Sequence, residues 1–275
     1  MDSSRQVPPY RTPETEAPAE MNFYLTGRRA LFMAENANAT MHNLLPARGS
    51  LVRDAKAWAD YLTESVRLYA GQSDVMFAAH GIPRFGNAEV VPYLKSHRDA
   101  YKFLHDQTVR LMNKGLTPAE IADAIELPES LASQWYNRGY YGTMSHNSKA
   151  VYQRYLGWYD GNPTNLWPLP PEESAGRYLE AMGGADTVLA RANQAVEEGE
   201  LRWATTLLNH VVFADGDNRP ARAALPTFTR SSVSPRKRAP GGTSTSTPPS
   251  NFAPPRPSAA LLSSGPKSSA QRQRP

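Results

Sequence analysis

The sequence predicts an α+β segment, then an all-helical segment, then a tail with no folding pattern. Three observations carry this reading. Up to residue 88, short apolar runs of strand length end in loops rich in Gly and Pro. From Glu89 onward, apolar residues return at steps of three and four. The last fifty residues, 226–275, hold ten Pro, many Ser and Thr and almost no apolar clusters, too little to offset chain entropy. The expected division is therefore 1–88, 89–222 and a disordered tail over 223–275.

The totals exclude several function classes. No cysteine is present, so disulfides and thiolate zinc sites are ruled out, and any metal must be held by His and carboxylates. No apolar run approaches a membrane span, and Met1–Arg5 does not read as a signal peptide. The formal charge of +4 belongs to the tail. Residues 226–275 hold eight Lys/Arg and no acid, which leaves 22 basic and 26 acidic residues, or −4, for the body. A nucleic-acid binder is expected to carry its positive balance on the folded part, so nucleic acid is not the expected partner.

Residues 1–13 are polar and Pro-rich and read as a linker or strand remnant. Asn22–Leu25 and Ala30–Ala34 read as two strands around Thr26-Gly27-Arg28, at the edge of a mixed α/β layer. Leu51, Ala55, Trp58, Leu62, Val66 and Tyr69 mark a helix over 51–70. Val75–Ala79 reads as a buried strand that delivers His80 into a Gly/Pro loop. Val90, Leu94, Tyr101, Leu104 and Leu111 predict one long amphipathic helix ended by Asn113-Lys114-Gly115. Thr117-Pro118-Ala119-Glu120 is a capping box with Pro at the first helical position, opening a helix to Ile125. A further helix is expected over Glu129–Asn137, then an aromatic stretch from Trp135 to Tyr159. Three helices follow near 172–182, 186–198 and 200–214. The last two form a hairpin with Ala190, Ala195, Leu207, Leu208 and Val211 inward.

Glu16, Glu35 and His80 each lie at the end of an apolar run, where side chains face a site. On pattern alone, two carboxylates and an imidazole on strand ends allow a metal centre. They equally allow solvated edges, salt bridges and a hydrogen-bonded loop histidine.

The blocks Thr15-Glu16-Ala17-Pro18-Ala19-Glu20-Met21, Met33-Ala34-Glu35-Asn36-Ala37 and His80-Gly81-Ile82-Pro83-Arg84-Phe85-Gly86-Asn87 resemble the second half of the alkyl sulfatases of the metallo-β-lactamase fold. So do Leu51-Val52-Arg53-Asp54-Ala55-Lys56-Ala57-Trp58, His105-Asp106-Gln107-Thr108, the run Trp135–Thr143, the run Tyr152–Trp158 and Asn209–Asp215. The resemblance covers about residues 14–222 and implies a hydrolase using two zinc ions to cleave primary alkyl sulfates. It also implies an all-α dimerisation domain over 89–222, hence a homodimer, and an α+β remnant of the metallo-β-lactamase fold over 1–88. By block, Glu16, Glu35 and His80 fall on zinc-ligand positions, with Glu35 the carboxylate placed to touch both metals. Arg53 falls on a sulfate-binding position, Asn43 to Arg48 on a loop near the substrate, and Tyr152 on a sulfate-contacting tyrosine. A guanidinium aimed at a leaving sulfate stabilises its developing charge.

One departure qualifies these implications. Zinc binding in the family also uses a His-x-His-x-Asp-His run. The histidines here are His42, His80, His97, His105, His146 and His210, and none are spaced that way. The chain is therefore expected to be a truncated zinc-dependent alkyl sulfatase, inactive alone and retaining its dimerisation domain, with no catalytic residue assigned. The break near 219–225 fits a frameshift. Two rival readings stand beside it. Leu116–Trp135 scans like a helix-turn-helix, and the helices alone would serve as a non-catalytic interaction module. The compartment stays open between cytoplasmic and exported.

Overall fold

The computed structural model describes residues 9–219 and 221–224. They divide into two compact units that part between Pro168 and Leu169.

The first unit carries a five-stranded sheet in sequence order: β1 (Tyr10–Arg11), β2 (Met21–Leu25), β3 (Ala30–Phe32), β4 (Val75–Phe77) and β5 (Arg84–Phe85). All pairings are antiparallel except β3–β4, whose parallel register needs a crossover. Helix α1 (Ala55–Leu68) lies within that crossover. The expected strands are present, β2 starting one residue earlier and β3 and β4 ending sooner. Ala34 adopts φ 43, a left-handed conformation that ends β3 at Phe32, and Val75–Phe77 stops before His80. The register stacks Phe23, Phe32 and Phe77 on one face, with ring centroids 4.6 and 5.1 Å apart. Leu31 and Met76 are buried on the other. Part of the polar opening segment is strand β1.

Asp54 caps α1, accepting from the Lys56 and Ala57 amides, and Trp58, Ala59 and Leu62 turn inward. Helix α2 (Asn87–Met112) lays Val90, Leu94, Tyr101 and Leu104 into the same core. Trp58 stacks on Tyr101 at 4.8 Å and donates its indole N–H to the Asn36 carbonyl. The core thus runs from the sheet across residue 88 into the long helix.

Helix α3 (Pro118–Ala124) opens with the expected capping box between Thr117 and Glu120. The helix expected over Glu129–Asn137 is interrupted. Only α4 (Glu129–Ala132) is helical there, and a 3-10 turn covers Trp135–Asn137. The Asn137 side chain donates to the Ser96 hydroxyl and the Leu131 carbonyl, fixing this turn on α2. The aromatic stretch contains α5 (Met144–Leu156), capped by Thr143, and is followed by α6 (Pro163–Leu166).

The second unit holds α7 (Pro171–Ala181), α8 (Ala185–Glu197) and α9 (Leu201–Ala214) around Leu179, Val188, Ala192, Leu207, Leu208 and Val211. Ala190, expected inward, is exposed, and Ala192 takes its place. Val188, Ala192 and Ala195 form the 3.6-residue stripe of α8, and Ala190 lies off it. Residues 221–224 are helical, and the rest of the tail expected over 223–275 lies outside the described residues. Among the described residues, no helix is long and apolar enough to cross a membrane.

Candidate metal and anion site

The loop between β1 and β2 folds onto itself. Thr15 donates its hydroxyl to the Thr12 carbonyl at 2.6 Å, and the Thr12 amide donates to the Glu20 carbonyl at 2.8 Å. Glu14 adopts φ 64 inside this loop. Glu16 and Glu20 are thereby turned toward the end of β3. There the left-handed Ala34 redirects the chain, its carbonyl accepting from the Ala79 amide at 2.8 Å, and Glu35 follows.

Three carboxylates meet as a result. Ligand atoms of Glu16, Glu20 and Glu35 all lie within 4.8 Å of one another. The Glu35 amide donates to Glu20 Oε1 at 2.8 Å, and His80 Nδ1 stands 3.2 Å from Glu35 Oε1. Burial pushes the Glu20 carboxyl up to about 7, with the charges of Glu35 and Glu16 adding to it. Burial also raises Glu35, and the charge of Glu16 adds to that shift. Like charges held this close disfavour joint ionisation, and a cation between them reverses the effect. Three oxygen donors and one imidazole are a donor set that suits a divalent ion.

Arg53 sits beside the carboxylates and is 4% exposed. Its Nη2 donates to Glu16 Oε1 at 2.6 Å and its Nε to the Glu16 carbonyl at 3.1 Å. Its Nη1 donates to both the carbonyl and Oδ1 of Asn43, at 2.8 and 2.5 Å, and lies 3.1 Å from His42 Nδ1. Both hydrogens of Nη1 are thus engaged by Asn43, and the approach to His42 Nδ1 is a contact. His42 Nδ1 lies 3.0 Å from the Asn43 carbonyl, which only accepts, so Nδ1 carries the proton and donates there. Burial pushes His42 down to about 4, which keeps it neutral beside the guanidinium.

The Asn43 loop is held from α5. Asn147 accepts from the Leu44 amide at 3.0 Å and donates to the His42 carbonyl at 2.9 Å. Arg154 reaches back to the Val52 carbonyl, to Glu14 and to Asp54.

The expected site residues are therefore distributed unevenly. Glu16, Glu35 and His80 converge, and Arg53 and Asn43 join them through Glu16. Arg48 is exposed in the turn after Pro46, its charge acting on His42 and Arg53. Tyr152 lies in a different neighbourhood, packed with Leu111 and Ile121. The tyrosine beside the arginine loop is Tyr141, whose ring meets that of His42 edge-on at 4.8 Å. Glu20, His42 and Asn147 were not singled out from sequence. Glu20 stands four residues from Glu16 in the same block, and that spacing was the available signal.

Known proteins share the sequence and fold of this chain. The alkyl sulfatase dimerisation family matches residues 117–234. Over 210 residues, 76% of this chain, the sequence is 50% identical to the alkyl/aryl-sulfatase BDS1 of Saccharomyces cerevisiae, covering 32% of that protein. It is 52% identical over 210 residues to an (R)-specific secondary-alkylsulfatase of Pseudomonas sp., again 32% of its length. The solved structure of the inverting sec-alkylsulfatase Pisa1 from Pseudomonas sp. superposes with a TM-score of 0.77 at 50% identity, covering 80% of this chain and 35% of that one. The chain thus spans about a third of the length of these relatives. Sequence blocks, sheet order and helical segment lead to one assignment: the chain carries an alkyl sulfatase dimerisation domain and is similar to a fragment, about a third, of the alkyl sulfatases.

Proposed function

We propose that this chain provides the carboxylate half of a metal centre and the adjoining sulfate-binding arginine of an alkyl sulfate hydrolase, and that it self-associates through its helical segment. The observation that carries the proposal is the meeting of Glu16, Glu20 and Glu35 beside the buried Arg53. Glu16, Glu20, Glu35 and His80 would hold the divalent ion, with zinc the expected metal. When bound, such an ion lowers the pKa of a coordinated water towards neutrality. The chain's own residues orient and neutralise. Asn43 holds the Arg53 guanidinium, whose charge suits a sulfate ester, and Glu16 keeps that charge next to the metal position.

The donor count supports the view that the chain does not turn over substrate alone. Every histidine other than His80 is engaged elsewhere: His42 with Asn43, His97 with Asn137, His105 with Tyr155, His146 with Thr143, His210 against Tyr178. Two zinc ions would need more donors than the four gathered here.

Calorimetry should detect zinc binding by the purified chain. Glu35→Gln should weaken it by more than about tenfold, since even the outer partners of metal ligands carry 10–100-fold effects. Sulfate release from dodecyl sulfate should be absent with or without zinc. Failure to bind zinc would remove the metal reading, and turnover would remove the reading of incompleteness. The helix-turn-helix alternative loses support because α4, its would-be reading helix, is a single turn.

A further inference from the structure

Two of the sequence blocks, His105–Thr108 and Tyr152–Trp158, supply His105, Asp106 and Tyr155, which take no part in the site above. The fold brings them together. His105 and Asp106 lie on α2 and Tyr155 lies on α5. The Tyr155 hydroxyl is 2.8 Å from His105 Nε2, and His105 Nδ1 is 2.8 Å from Asp106 Oδ1. Lys102 is ion-paired to the other Asp106 oxygen, Oδ2.

The proton positions follow from the partners. A carboxylate only accepts, so His105 carries its hydrogen on Nδ1, and Nε2 is left as an acceptor. The Tyr155 hydroxyl therefore donates to Nε2. The phenol has a base within reach, and that base is oriented by a third group. This is the nucleophile, base and orienter arrangement that activates weak oxygen nucleophiles. Its accessibility is graded to match: His105 is 9% exposed, whereas Tyr155 is 50% exposed.

We propose that Tyr155 is an activated phenol, a nucleophilic site that accepts acyl groups from activated acyl donors. In the step, Tyr155 Oη attacks the acyl carbonyl and forms the new C–O bond. The bond to the leaving group breaks with its electron pair. The phenol proton passes to His105 Nε2 and from there to the leaving group. Asp106 holds the ring and balances the imidazolium that forms.

Tyr140 supplies an internal control. It is 57% exposed, comparable with Tyr155, and belongs to the same compact unit. The full chain is treated with N-acetylimidazole, and O-acetylation of each tyrosine is followed by peptide mass spectrometry. General-base assistance predicts that Tyr155 reacts at least ~10-fold faster than Tyr140. His105→Gln and Asp106→Asn should each bring Tyr155 down towards the rate of Tyr140. If His105→Gln does not fold, Asp106→Asn, at a half-exposed position, carries the variant arm. Equal rates for the two tyrosines in the unaltered chain would reduce the triad to a hydrogen-bonded staple between α2 and α5 and overturn the proposal. So would a folded variant in which Tyr155 stays fast.

Discussion

The Arg53 guanidinium and the Glu16 carboxylate meet at 2.6 Å, with 4% of the arginine side chain and 24% of the glutamate side chain exposed. Removing Arg53 leaves Glu16 beside Glu20 and Glu35 without its cation, and strips the Asn43 carbonyl and Oδ1 of their arginine donor. Breaking a buried pair from one side typically costs about 3–5 kcal/mol. Arg53→Ala is expected to fall in that range in urea unfolding. The Arg53→Ala, Glu16→Ala double variant should recover part of the loss, because the two effects are not independent. A single-variant loss under about 1 kcal/mol, the size of an exposed pair, would mean that the pair is not holding the loop.

His97 sets a pH dependence of opposite origin to that of the carboxylates. It is 1% exposed, its Nδ1 2.9 Å from Asn137 Oδ1, and burial pushes it down to about 4 from 6.5. The folded state therefore binds the proton less readily than the unfolded chain. The contribution is fully present above about pH 6.5 and is lost as pH falls through about 4. The loss across that window is about 3 kcal/mol at most. Unfolding curves of the unaltered chain and of His97→Gln, compared between these limits, should show the slope difference. Parallel curves would sink the assignment.

Gly142 is the tightest point behind the arginine loop. A Cβ added there would stand 2.5 Å from the His42 carbonyl oxygen and 2.7 Å from its carbon. Both are backbone atoms that no rotamer change can move. Gly142→Ala should cost about 1–3 kcal/mol and displace His42 and Asn43 together. NMR of labelled histidine should then report a changed His42 environment. A variant with unchanged melting and unchanged His42 signals would contradict the close approach.

What could be read from sequence follows from how local each signal is. The capping box at Thr117 and Glu120 lies within four residues, and it was legible in full. The long helix was legible because Val90, Leu94, Tyr101 and Leu104 keep one face over many turns. Helix α5 was hidden. Its first turns, Met144–Ser148, are mostly polar, and their burial depends on tertiary partners such as Asn147 holding Leu44 and His42. The same holds at the site. Glu16 and Glu35 stood out at the ends of their segments, whereas Glu20 gains its part only when the 12–20 loop closes. Tyr152 and Tyr141 are both tyrosines near the right blocks, and only the packing of α5 separates the one among Leu111 and Ile121 from the one against His42.

The Asn147 clamp has a consequence for dissecting this chain. Asn147 lies inside the stretch matched by the dimerisation family, yet both of its hydrogen bonds fix the loop that carries Asn43. A version trimmed to the sheet and the first two helices would keep all three carboxylates and lose what steers the arginine loop. Segment 117–168 therefore splints the loop that carries Asn43 while lying within the stretch the dimerisation family matches, so shortening the protein there would release that loop.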